Sequence, residues 1–92
     1  RLVIAPATAQ CLARLRTGLA DDLLSTLALA TRAPVFLAPA MNQAMWLHPA
    51  TQDNLTVLKS RGVHILGPDH GAQACGDVGP GRMLEPEAII AA

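Results

Sequence analysis

Three short apolar runs, each closed by a breaker, limit what this chain can fold into. Leu2-Val3-Ile4-Ala5 ends at Pro6, Val35-Phe36-Leu37-Ala38 ends at Pro39, and Val63-His64-Ile65-Leu66 ends at Gly67-Pro68. Runs of this length, bounded by proline or glycine, predict strands. They are continuous rather than alternating, which predicts a parallel sheet covered on both faces.

The stretches between them carry helical spacing. Thr8 is placed to cap a first helix, in which Leu12, Leu15 and Leu19 recur on one stripe, with Arg14 and Arg16 off it and Gly18 near the end. Asp21 and Asp22 open a second helix, where a helix dipole favours negative charge. Its stripe is Leu23, Leu27 and Ala30, with Leu24 and Ala28 beside it, so apolar that burial on more than one side is expected. Met41 to His48 reads as a turn. Pro49 suits the first turn of a third helix carrying Leu55 and Leu58 and ended by Gly62, and Pro86 starts a short last helix through Ile89 and Ile90. This is an α/β alternation. Three strands make a small sheet, and Arg1 runs straight into the first of them with no initiator methionine. The expectation is a partial domain whose first part lies outside these residues.

Composition excludes several function classes. Seven basic residues against seven acidic ones leave no electrostatic footprint for nucleic acid or an anionic membrane. Aromatic residues at 2% offer no base-stacking surface. No apolar run is long enough to span a bilayer, and no signal peptide opens the chain. Cys11 and Cys75 are then expected to be reduced thiols in a cytoplasmic protein.

Reactive side chains gather at the strand ends and in one loop. Ala5-Pro6-Ala7-Thr8-Ala9-Gln10 is echoed by Ala38-Pro39-Ala40-Met41-Asn42-Gln43. Both segments follow the carboxyl end of a strand, the edge where open α/β sheets bind ligands. The echo therefore predicts two loops facing one site. Thr8 to Gln10 suits an anion such as phosphate at a helix N-terminus, or is an ordinary cap. The Asn42 amide can hold a carboxylate or carbonyl by its donors, or simply shapes a turn. Met41, Met45 and Trp46 offer soft, flat surface suited to an aromatic ring, or fill a core.

The last dense stretch is Ala74-Cys75-Gly76-Asp77-Val78-Gly79-Pro80-Gly81-Arg82-Met83. Its glycines and proline predict an irregular shaped loop, read as a lid over the site. Cys75, outside any apolar helix face, can serve as nucleophile, proton donor or ligand. Arg82 can fork onto a phosphate or carboxylate, or pair with Asp77 or Glu85. Cys11 falls beside the apolar stripe and is expected in the core. No metal-ligand spacing joins Cys75 to His64 or His70, and no Ser-His-Asp pattern or Walker loop is present.

These motifs occur in a familiar order: Ala5-Pro6-Ala7-Thr8-Ala9, Asp21-Asp22-Leu23-Leu24-Ser25-Thr26, Pro39-Ala40-Met41-Asn42-Gln43-Ala44-Met45-Trp46, then Ala74-Cys75-Gly76 through Gly81-Arg82-Met83. The chain resembles the flavin-dependent cysteine decarboxylases, in particular their phosphopantothenoylcysteine decarboxylase branch. The resemblance spans nearly all of the chain and about the second half of that family's domain.

It implies a Rossmann-like flavoprotein that binds FMN and self-associates as trimers, often four to a dodecamer. It implies a substrate, 4′-phosphopantothenoylcysteine, whose thiol is oxidised to a thioaldehyde. Carbon dioxide then leaves, and reduction yields 4′-phosphopantetheine. In that picture Asn42 holds the substrate carboxylate and Cys75 donates the final proton. Met41, Ala74, Gly76 and Arg82 line the substrate, and Thr8, Ala9, Ser25 and Met45 belong to the flavin environment. Residues 71–83 act as the substrate clamp within a single unit, 1–92. Gln10 stands where many members carry asparagine. The family's catalytic histidine and first flavin-phosphate loop fall before Arg1 and its fused synthetase domain after Ala92, so these 92 residues alone are expected to be inactive. Two alternatives stay open: decarboxylation of a peptide's C-terminal cysteine, and a non-catalytic regulatory subunit of the same family.

Overall fold

The computed structural model describes residues 1–72 and 78–91, with backbone alone at 69–72 and 78–82. Strands β1 (Leu2–Ala7), β2 (Val35–Pro39) and β3 (His64–Ile65) pair in parallel in the order β1-β2-β3. Helices α1 (Ala9–Thr17) and α2 (Leu23–Ala30) connect the first two strands. Helices α3 (Gln43–Leu47) and α4 (Pro49–Ser60) connect the second and third. Strands β4 (Asp69–Ala72) and β5 (Val78–Arg82) form an antiparallel pair, and α5 (Pro86–Ala91) follows.

Strand alternation sorts the side chains onto two faces. Ile4 and Leu37 point into a core completed by Ala7, Leu12, Leu55 and Leu58. Helices α1 and α4 pack on this face and on each other. Their outer rims are tied as well: Arg16 reaches Asn54 and Asp53, and the Arg61 guanidinium donates to the Arg16 carbonyl at 2.7 Å. On the opposite face the Phe36 and His64 rings stack at 4.5 Å. The Arg1 guanidinium covers Phe36 and donates to the Ile90 carbonyl of α5.

Helix limits follow the local chemistry read from the sequence, except that Leu19, expected on the stripe of the first helix, lies past its Gly18 cap and is 52% exposed. Thr8 caps α1 by accepting from the Cys11 N–H, and Gly18 ends it in the left-handed conformation, φ 72°. Pro49 occupies the first turn of α4, where its missing N–H costs nothing.

Four expectations need correction. The first strand runs through Pro6 to Ala7 rather than stopping at Pro6. Its pairing with β2 shifts between Ile4 and Ala7, and a proline fits where the ladder is already interrupted. The segment Met41 to His48 contains a short helix, α3, because Asn42 supplies a cap and Gln43 to Leu47 contains no breaker. Helix α2 is not buried on several sides. Leu23 is 75% exposed and Leu27 49%, and Ser25 is the buried residue of the helix. It packs on α1, and its outer leucines Leu23 and Leu29 stay more than half exposed. Finally, part of the glycine-rich stretch is regular. Val78 to Arg82 pairs with Asp69 to Ala72, with Gly81 as the extra residue opposite the Asp69–His70 step. A two-stranded ribbon is all edge, so Pro80 removes no central hydrogen bond, and a bulge absorbs the glycine.

Candidate functional site

The two echoed segments meet at the carboxyl edge of the sheet. Ala7 pairs with Pro39, and the Ala40 N–H donates to the Ala7 carbonyl at 3.1 Å, so the segments are joined directly. Each then enters a helix through a capping side chain. Thr8 Oγ1 accepts from the Cys11 N–H at 3.1 Å, and Asn42 Oδ1 accepts from the Met45 N–H at 2.8 Å. The predicted pair of loops facing one edge is therefore present.

What each cap leaves over matters for chemistry. Thr8 accepts with one lone pair and keeps its hydroxyl proton. Asn42 commits its oxygen to α3, which leaves the two donors of its Nδ2 group outside that bond. Among the described residues Nδ2 has no acceptor. The cap reading and the carboxylate-holding reading of Asn42 are thus compatible, because they use different atoms.

A cavity of about 240 Å³ opens beside the first cap. Pro6, Thr8, Cys11, Leu15, Leu24 and Ser25 line it, with Arg14 and Asp22 at its polar side. Thr8 and Ser25, distant in sequence, are brought together here. Ser25 is buried because the α2 cap draws it inward: its N–H donates to Asp22 Oδ1 at 2.8 Å, and its hydroxyl lies 2.6 Å from the same oxygen. Arg14 holds this end, with Nη1 3.0 Å from Asp22 Oδ2 and Nε 3.3 Å from Asp21 Oδ1. The Ser25 hydroxyl, then its backbone N–H and the nearby Arg14 charge, lower the Asp22 pKa. Burial, then the Asp22 charge, pushes the Cys11 thiol up, with Arg14 opposing. A raised thiol pKa suits a protonated wall residue and not a nucleophile. Cys11 is half-buried against the core and also lines this cavity, more than the core role expected of it.

Sequence reasoning passed over Arg14 and gave Asp22 only a dipole role. The signal was available in the spacing of Asp22 and Ser25, three residues apart at a helix start, which is that of a capping box. A second cavity, about 180 Å³, extends from the same Arg14, Leu15 and Ser25 toward Gly18, Val35, Leu58, Arg61 and Val63. Neither Thr8 nor Asn42 lines it.

The remaining expected residues divide in two groups. Ala9 opens α1, half-buried; Met41 is half-buried and packs on the core; Met45 is 45% exposed on α3. Arg82 closes β5, and β5 packs against α3, so the strand leaving the Cys75 segment lies on the helix that Asn42 caps. Ala74, Cys75 and Gly76 lie outside the described residues, as does the central part of the 71–83 clamp.

The cavity fits part of a flavin nucleotide. Its lining combines apolar walls with a few converging polar groups, as binding cavities do. The α1 N-terminus supplies N–H groups for an anion or hydroxyl.

The Flavoprotein family pattern matches residues 1–92. The chain belongs to this family. It is 59% identical over 91 residues to the coenzyme A biosynthesis bifunctional protein CoaBC of Haemophilus influenzae, covering 99% of this chain and 23% of that protein. It therefore spans about a quarter of the length of the curated relatives it matches. Among solved structures, a cysteine-to-serine mutant of PPC decarboxylase complexed with pantothenoylaminoethenethiol superposes with a TM-score of 0.95 at 40% identity, covering 98% of this chain and 50% of that one. The FMN binding protein AtHal3 superposes with a TM-score of 0.87 at 41% identity, covering 98% and 50%. The Rossmann-like α/β class expected from the sequence holds, as a partial domain.

Proposed function

We propose that this chain forms part of a cytoplasmic, self-associating decarboxylase domain that uses FMN to convert 4′-phosphopantothenoylcysteine to 4′-phosphopantetheine in coenzyme A biosynthesis. The observation that carries the proposal is the pair of strand ends capped by Thr8 and Asn42, their segments joined by the Ala40 N–H to Ala7 carbonyl bond, with β5 packed on α3. Similarity to CoaBC and PPC decarboxylase supports the substrate class, and similarity to an FMN-binding protein supports the cofactor.

Bound FMN would supply reversible hydride acceptance. Thr8 and Ser25 would hold it at the cavity, with Ala9 next to Thr8 in the chain, and Met45 would join the flavin environment as the resemblance implies. The two Nδ2 donors of Asn42 would grip the substrate carboxylate and fix its orientation, which lowers the entropic part of the barrier. The cap bond of Asn42 Oδ1 to the Met45 N–H would keep these donors aimed in one direction as carbon dioxide departs. Cys75 would deliver the proton that completes the product, for which it must stay protonated until that step. Residues 71–83, with Arg82 at their end, would exclude water from the reacting sulfur.

The test is carbon dioxide release from 4′-phosphopantothenoylcysteine by the complete protein loaded with FMN. Release that is lost in Cys75→Ala, with flavin still bound, supports the reading. Bound flavin with no carbon dioxide from the wild type overturns it in favour of a regulatory role.

A further inference from the structure

One hydroxyl proton fixes what Ser25 can offer the cavity. Ser25 Oγ lies 2.6 Å from Asp22 Oδ1. An ionised carboxylate only accepts, so the proton on this bond belongs to Ser25 and points at Asp22. The Asp22 carbonyl, 3.3 Å from Oγ, is the poorer acceptor for the same proton. The Asp22 N–H donates back to Oγ at 3.3 Å. A serine hydroxyl has one proton and two lone pairs, so one lone pair remains.

Arg14 makes this arrangement rigid. It fastens Asp22 Oδ2 at 3.0 Å while its Nε holds Asp21. The carboxylate cannot turn from Ser25 without giving up a charge-assisted bond. Asp22 also caps α2, so the same group is held from two sides.

We infer that the Arg14–Asp22 pair locks Ser25 as a hydrogen-bond acceptor, so that a ligand in this cavity must place an N–H or O–H donor against it. Arg14 and Asp22 are positioning residues that act through Ser25. The inference rests on reading the cavity as part of the FMN site. FMN carries both kinds of donor, on its ribityl chain and on its ring. A free serine would adapt to either donor or acceptor, whereas a locked one discriminates.

The experiment titrates the complete apoprotein with FMN by flavin fluorescence, with apoprotein melting measured in parallel. Ser25→Ala should weaken FMN about tenfold, the scale of one lost hydrogen bond. Asp22→Asn keeps an equally good helix cap but removes the charge that Arg14 holds. It should weaken FMN roughly three- to fivefold, in line with loss of a charge-assisted contact, while melting falls only by the small contribution of the surface ion pair and the protein stays folded. Arg14→Leu should do the same and Arg14→Lys should restore most of the affinity. If Arg14→Leu fails to fold, Asp22→Asn and Arg14→Lys carry the test. Wild-type FMN affinity in Asp22→Asn overturns the positioning role and leaves the cofactor reading standing. Absence of FMN binding by the wild type overturns the cofactor reading itself.

Discussion

The segments that leave β1 and β2 look alike in sequence and are built alike, yet they are anchored very differently. Both cap a helix through a side-chain oxygen that accepts an N–H three residues on. The first starts a nine-residue helix whose Leu12 is fully buried in the core. The second starts a five-residue helix with no buried residue. Thr8 therefore stands on packing, and Asn42 stands on its cap bond and the half-buried Met41 and Trp46 beside it. The difference teaches that a shared motif can serve two ends. In the function proposed above, the firmly seated copy would serve the cofactor and the lightly seated copy the substrate.

The largest effect expected from this contrast is on stability. Leu12→Ala should cost about 2–5 kcal/mol in denaturant unfolding, as core truncations do. Met45→Ala, at the exposed surface of α3, should stay within about 0.5 kcal/mol. Equal losses would erase the distinction between the two segments.

Next comes the separation of cap from chemistry at Asn42. Aspartate caps a helix as well as asparagine, but it replaces two donors by a negative oxygen. Asn42→Asp in the complete FMN-loaded protein should keep its melting temperature and lose turnover by about 100-fold, the scale of a removed preorganised donor. Unchanged turnover would leave Asn42 as a cap alone.

At Thr8 the expected change is smaller. Thr8→Ala should cost about 1 kcal/mol through the lost cap, and Thr8→Ser should recover it. If Thr8→Ala melts like the wild type, α1 is held by Leu12 without help from its cap.

The smallest effect is in the pH profile. The Asp22 pKa is lowered in the folded chain, so its contribution is present above the ordinary carboxylate value and is lost as pH falls through the folded value. Cys11 is raised, so its neutral form is favoured, and stability declines as pH rises past the ordinary thiol value. Asp22→Asn should flatten the acid limb of an unfolding-versus-pH curve and leave the alkaline limb standing. A retained acid limb would assign it to other carboxylates.

Much of this was legible in the residues. Breakers located three parallel strands, although the first runs through Pro6 and the second includes Pro39, and Thr8, Gly18 and Pro49 marked helix ends, because these features act over one turn of chain. The echo predicted two segments at one edge for the same reason: strand ends and caps are local. The residues alone leave Asn42 open between a carboxylate holder and a turn, and its cap is not legible there because a cap and a turn use the same residue and only backbone conformation separates them.

What the sequence determined by itself was local order, family resemblance and the identity of the reactive side chains. Tertiary structure alone decided which of them meet. It set Ser25 beside Thr8 across the α1–α2 seam, and it placed Arg14 to hold the carboxylate that orients Ser25. It laid β5 on α3, and it left the leucines of α2 uncovered despite their periodicity. The reason is physical. Periodicity says which residues share a face, but what that face meets depends on packing between segments distant in sequence, which no local pattern encodes.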